Sequence, residues 1–343
     1  MSEVIDVFEA LKDAMERGED AVLCTVISAS GSVPRRSGSR MLALSGSRYA
    51  GTVGGGYGEA LTQERSQDML REGRNFDVQE IELGMGKPGS IGFCGGHCRV
   101  ILQLYRPADG IGAPLAEQVL SSVQDNRRAW LITEIRSDGT RAGVYDETTG
   151  FVGDPVCDPE ALGGLLGGLA LSSGEDPMLY AEPLATGGNV YIFGGGHVSR
   201  EVVSLLAHTD FSVIVYENRP GFLTPERFPD AAELILGEYE DIRSKTKITD
   251  RDICLVMTRG DGDYAALKEV LQTEAFHVGC IGSRKKLAVI RSMLLNEGFT
   301  KEDIGRIHNP IGLEIGSETP AEIAVSVAAE LIQVRAKKRE ETN

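Results

Sequence analysis

The chain has 343 residues, 51 of them acidic and 35 basic, for a formal net charge of −16. That length fits two domains better than one, and that charge argues against wrapping nucleic acid or lying on an anionic membrane. Hydrophobic residues make up 41% and charged residues 25%, enough for packed cores.

In chain order, the first part reads as a helix over Asp6–Arg17, a strand over Ala21–Ser28 and the turn "ASGSVPRRSGSR". A strand at Met41–Leu44, a "SGSR" turn and a short strand into Thr52 and Val53 follow, then Gly54-Gly55-Gly56 and a helix over Tyr57–Glu72. "FDVQEIEL" alternates like a half-buried strand. "GMGKPGSIGFCGGHC" reads as loop and "RVILQLY" as strand. A helix at Pro114–Gln124, strands "RAWLITEI" and "RAGVYD", a helix "DPEALGGLLGGLAL" and a strand "MLYAEP" complete this part. "LATGG", Leu184–Gly188, reads as the linker, so the expected domains are 1–187 and 188–343.

In the second part strands alternate with helices. The strands are "NVYIF", "FSVIVYE", "AELIL", "RDICLVMT" and "FHVGCIG", and helices follow "NVYIF", "AELIL", "RDICLVMT" and "FHVGCIG". This pattern predicts parallel βαβ units and a doubly wound sheet. The closing helix "PAEIAVSVAAELIQVRA" has Pro320 in its first turn, where a missing N–H costs nothing. The expected fold class is therefore α/β: a Rossmann-like doubly wound C-terminal sheet behind a mixed α/β N-terminal domain. The start lacks a basic segment leading into an apolar one, no run is long enough to span a membrane, and six cysteines in so long a chain make no disulfide framework. A cytoplasmic protein with reduced thiols is expected, with no membrane or nucleic-acid partner.

Two glycine triplets carry the candidate chemistry. Gly194, Gly195 and Gly196 follow an apolar strand and open a helix, in the spacing Gly194-x-Gly196-x-x-Ser199 of a dinucleotide fingerprint with Ser at its third position. Glu217 ends the next strand, where an acidic residue meets a ribose hydroxyl. Glycines admit close backbone approach and a helix N-terminus attracts phosphate. Gly282, Ser283, Arg284 and Lys285 add a second helix start with bases on the same edge, and His197 stands just after the triplet. Before the first triplet, Arg35, Arg36 and Arg40 suit an oxyanion. Tyr57 is either a stacking surface or core. Glu59, in the first turn of its helix, is expected to cap rather than bind. Cys94, His97 and Cys98 have no second ligand pair nearby, so no metal site is expected; Cys94 remains a candidate reactive thiol. No nucleophile–base pair stands out, so no catalytic residue is assigned.

With these residues in place, the chain resembles the XdhC/CoxI family of xanthine dehydrogenase accessory proteins. The resemblance rests on "ASGSVPRRSGSRML", "GTVGGGYGEA", "CGGHCRV", "VYIFGGGHVSREV", "VYENRPGF", "CIGSRKK" and "NPIGLEIGSETPAEIAVSVAAEL". It implies a chaperone that binds the molybdenum cofactor (molybdopterin) and delivers it to an apo molybdenum hydroxylase. It also implies a homodimer and a cysteine desulfurase as a further partner. Many relatives carry Cys directly after the first triplet, where this chain has Tyr57, and His where this chain has Arg259. The alternatives drawn from the fingerprint alone are an NAD-dependent oxidoreductase and a nucleotide-sensing regulator.

Overall fold

The chain before residue 187 builds antiparallel sheets, and the chain after it builds a parallel one. The computed structural model describes all residues except 1, 32, 34, 36, 84–95, 126, 167–168, 173, 175, 185–187, 261 and 343. Two units divide at residues 186 and 187.

In the first unit, helix α1 (Ser2–Glu16) precedes β1 (Ala21–Gly31), β2 (Arg40–Leu44) and β3 (Arg48–Gly51). Helix α2 (Gly56–Glu72), β4 (Phe76–Leu83) and β5 (Gly96–Tyr105) complete an antiparallel sheet of order β3-β2-β1-β5-β4. The apolar run at the start of β1 explains its central place, because its first seven residues are buried between two partners. Helix α3 (Gly112–Gln124) leads to β6 (Ala129–Arg136), β7 (Gly139–Asp146), β8 (Gly150–Val152), β9 (Ala170–Leu171) and β10 (Met178–Pro183). These pair antiparallel in the order β8-β7-β6-β10-β9. Val7, Phe8 and Leu11 of α1 share one core with Leu115 and Val119 of α3 and with Leu131 and Val144.

Two expectations are corrected here. Helix α1 begins at Ser2 rather than Asp6. The expected helix "DPEALGGLLGGLAL" is a short 3-10 turn, Pro159–Leu162, followed later by the two-residue β9. Asp158 caps that turn through the Glu160 N–H at 3.0 Å, but Gly163 and then Gly164 at φ +81° end it before a second helical turn forms.

In the second unit the strands are β11 (Asn189–Phe193), β12 (Ser212–Glu217), β13 (Glu233–Leu236), β14 (Ile253–Val256), β15 (His277–Cys280) and β16 (Ile307–His308). The helices are α4 (His197–His208), α5 (Ile242–Lys245), α6 (Asp263–Val270), α7 (Arg284–Asn296), α8 (Lys301–Gly305) and α9 (Pro320–Thr342). All strand pairs are parallel, and the order is β13-β12-β11-β14-β15-β16. Counted from the start of the unit, that order is 3-2-1-4-5-6, the doubly wound dinucleotide arrangement. One core joins Val190 and Ile192 to Val202 and Leu206 of α4 and Val327 and Leu331 of α9. A separate core gathers Phe193, Cys254 and Val278 against Leu267 of α6 and Leu287 and Leu294 of α7. Each fully buried aliphatic side chain contributes about 1.5–3 kcal/mol, so the sheet is held by two hydrophobic layers. The order reverses at β11, and doubly wound sheets bind their ligands beyond the carboxyl ends of the strands at such a reversal.

Candidate functional site

Gly194, Gly195 and Gly196 stand at that reversal, and each does something different. Gly194 has φ +118°, and a Cβ there would run into the Met257 carbonyl oxygen of the neighbouring strand's end. Gly195 lies against the Phe222 carbonyl oxygen, 2.6 Å from where its Cβ would be. Gly196 has ordinary extended backbone and open space around its Cβ position. It is the N-cap of α4, and no side chain caps the helix. The first-turn N–H groups of α4 therefore keep their capacity for an anion. Ser199, at the third fingerprint position, is buried.

Glu217 serves this turn from below. Its carboxylate is fully buried and accepts the Gly195 N–H at 2.6 Å. It also takes a two-point contact from Arg219, at 2.9 Å from Nε and 2.7 Å from Nη2, and the backbone N–H groups of Asn218 and Arg219 at 2.9 and 3.1 Å. Burial pushes the Glu217 carboxyl up, but the Arg219 side chain and then the Gly195 and Arg219 N–H groups outweigh it and hold it below the usual range. The carboxylate expected to face a ribose is thus engaged in shaping the turn.

Two arginines stack on one ring beside it. Arg219 lies 4.1 Å from the Phe222 centroid and Arg227 lies 5.2 Å from it. Arg227 donates from Nε to the Gly195 carbonyl at 3.1 Å, while its Nη2 is shielded from solvent with no hydrogen-bond partner among the described residues. Arg227 is not among the expected site residues, because nothing in "TPERFPD" signals that its loop returns to the glycine turn.

The next two loops of the same edge are tied together. Thr258 donates to Asp263 at 2.5 Å, and Lys286 binds the other oxygen of that fully buried carboxylate and the Ile281 carbonyl at 3.2 Å. Gly282, at φ +134°, leaves room for this lysine, since a Cβ there would be 2.5 Å from its Cε. Ser283 caps α7 by accepting the Lys286 N–H at 3.2 Å. Arg284, Lys285 and His197 are exposed. The base that links the loops is Lys286, one residue beyond the expected pair.

The first triplet repeats the carboxylate device. Gly54, Gly55 and Gly56 have φ of +139°, +73° and +64°. Glu59 accepts the Thr52 hydroxyl and the N–H groups of Val53 at 3.2 Å and Gly55 at 3.0 Å. Burial raises its carboxyl, yet these hydrogen bonds prevail and hold it low. Tyr57 is half-buried. The described arginines nearby do not converge. Arg35 is exposed and pairs with Glu3 at 3.0 Å, whereas Arg40 is fully buried and pairs with Glu182 in β10. Tyr180 donates to the same carboxylate at 3.2 Å. Arg36 and Cys94 lie outside the described residues. Among the described thiols, Cys24, Cys98, Cys254 and Cys280 are buried, and burial raises each, Cys280 to about 12.

Two family models match this chain: the XdhC Rossmann domain over residues 190–331, and the XdhC and CoxI family over residues 14–81. The chain belongs to the XdhC and CoxI family. Its relatives include a probable xanthine dehydrogenase subunit of Bacillus subtilis (strain 168), 26% identical across 96% of this chain and 97% of that one. The molybdenum cofactor insertion chaperone PaoD of Escherichia coli (strain K12) is 23% identical across 96% of this chain and 88% of its own. The uncharacterized protein YqeB of the same organism is 31% identical over 144 residues, which span 42% of this chain and 27% of that larger protein. A crystal structure of a xanthine dehydrogenase from Bacillus halodurans shares the fold, with a TM-score of 0.77 at 22% identity and 96% of both chains covered. In this XdhC-type chain the fingerprint turn and its arginines fall inside the matched Rossmann domain, and the first triplet falls inside the XdhC and CoxI match. Among the described residues, no helix is long and apolar enough to cross a membrane.

Proposed function

We propose that this chain binds the molybdenum cofactor as cargo and delivers it to a xanthine dehydrogenase-type molybdenum hydroxylase, acting as a chaperone without turnover. The observation that carries this reading is the Nη2 of Arg227, buried and unpartnered among the described residues, beside the uncapped start of α4. A pterin phosphate matches that donor set, because it brings a dianionic group to N–H donors and a guanidinium preformed for oxyanions. Open space at Gly196 gives the phosphate a way in. The names of the relatives in Bacillus subtilis and Escherichia coli support the same class of role.

In this reading Gly194, Gly195 and Gly196 form the phosphate turn, Arg227 and the first turn of α4 hold the charge, and Glu217 and Arg219 keep the turn in shape. Gly282, Ser283, Arg284 and Lys285 line the neighbouring loop. The first triplet, with Gly54, Gly55, Gly56 and Tyr57, serves the domain expected over 1–187. A homodimer and a cysteine desulfurase partner belong to the same proposal. Reconstitution tests it: cofactor-loaded chain mixed with apo-hydroxylase restores activity faster than free cofactor does. Equal rates with and without the chain contradict delivery.

A further inference from the structure

Away from the glycine edge, three potential ligands meet where the last strand pair joins the closing helix. His277 opens β15, His308 ends β16, and Glu330 comes from α9. One donor atom from each lies within 4.8 Å of the other two. The two imidazole rings stand 4.3 Å apart, tilted by 32°. His277 is 4% exposed. Its Nε2 is buried without a hydrogen-bond partner of acceptable geometry, although Glu330 Oε1 lies 3.3 Å away. Glu330 Oε2 accepts the Gly312 N–H at 2.5 Å, which fixes the carboxylate and leaves Oε1 towards the histidine.

We propose that His277, His308 and Glu330 bind a divalent transition ion of the zinc class. Two imidazole nitrogens and one carboxylate oxygen are the donors that such ions prefer over magnesium or calcium. The buried nitrogen without a hydrogen bond gains a partner when the ion enters. The Gly312 N–H supplies the outer hydrogen bond that orients a ligating carboxylate. Tetrahedral zinc, with bonds of about 2.0–2.1 Å, sets its donors about 3.3 Å apart; His277 Nε2 and Glu330 Oε1 already stand at 3.3 Å, so only His308 has to approach, by up to about 1.5 Å. The exposed His308 can supply that movement by side-chain rotation. With three protein ligands, the fourth position falls to water. The ion would tie β15 and β16 to α9. The pattern is hidden in the sequence because its members are spread over residues 277–330 and only the sheet order and the returning helix gather them.

The test uses the full chain after treatment with chelator, titrated with Zn2+ by calorimetry and with Co2+ by visible absorption. Wild type should take up one equivalent at this site, with tetrahedral cobalt bands and a raised thermal midpoint. His308→Ala removes an exposed ligand and Glu330→Gln keeps an acceptor for Gly312. Each should weaken uptake at least about tenfold while leaving the metal-free midpoint nearly unchanged. Metal uptake and cobalt spectra identical in wild type and both variants would overturn the proposal, because they would place the ion elsewhere. No uptake by wild type would overturn it outright.

Discussion

The carboxylate of Glu217 accepts the N–H of Gly195 at 2.6 Å, and Glu59 accepts the N–H of Gly55 at 3.0 Å. In both triplets the middle glycine is therefore held by a carboxylate of its own domain. A carboxylate under a glycine turn fixes the loop, but it also takes up a donor that a phosphate would use. What remains for a ligand in the second triplet is Gly196, the first turn of α4 and Arg227.

Replacing Glu217 by Gln keeps an acceptor for Gly195 but removes the charge that pairs with Arg219. Arg219 is partly exposed, which lessens the loss, so a destabilisation of about 2–4 kcal/mol is expected. Denaturant unfolding followed by circular dichroism measures it. A change below about 0.5 kcal/mol would show that the carboxylate is not needed for the turn.

The same group predicts a pH dependence. Its folded pKa lies below the ordinary glutamate value of 4.5, so its stabilisation is fully present above that value and is lost as pH falls through the lower folded value. The stability gap between wild type and Glu217→Gln should be constant near neutrality and shrink below about pH 4.5. A gap that widens on acidification would reverse the sign of the argument.

Gly196 and Gly195 should respond unequally to substitution. Gly196→Val meets open space in an ordinary extended conformation, so its thermal midpoint should change little. Gly195→Val drives a side chain into the Phe222 carbonyl and the Glu217 carboxylate, so it should cost about 1–3 kcal/mol or more. Paired thermal melts check this, and they identify Gly196→Val as the variant fit for binding tests.

Arg40 and Glu182 form a buried pair in the first unit, with Tyr180 on the same carboxylate. Burial pushes Glu182 up despite Arg40 and Tyr180. Arg40→Met alone should destabilise by about 3–5 kcal/mol, and Arg40→Met with Glu182→Met should recover most of that loss. Equilibrium unfolding of both variants decides it. An unchanged single variant would free Arg40 for the oxyanion role expected from its sequence neighbourhood.

The parallel unit is legible in the sequence because each buried strand is a continuous apolar run punctuated by glycine, and Ser283 and Pro320 mark helix starts by local chemistry. The antiparallel unit is less so. "DPEALGGLLGGLAL" carries leucines at helical spacing, yet its glycines outweigh them, which a periodicity count does not weigh. The candidate site is legible where one loop carries it, as at the glycine turn Gly194–Gly196. It is hidden where distant loops meet: Arg227 on Gly195, Lys286 on Asp263, and Glu330 on His277 all depend on strand order. The cluster of Arg35, Arg36 and Arg40 is the reverse case, since proximity along the chain does not bring the described members to one place.

Anaerobic calorimetry with freshly released molybdenum cofactor tests the central claim most directly, with NAD, NADH, ADP and CTP as comparison ligands. Wild type should bind the pterin with a micromolar or tighter dissociation constant and the nucleotides weakly. Arg227→Gln should lose binding by at least about tenfold, the worth of one charge-assisted contact, and Gly196→Val, whose side chain fills the phosphate's way in, should lose at least about as much. Pterin affinity unchanged in both variants would contradict the assigned edge, and tight NAD binding without pterin binding would contradict the carrier role itself.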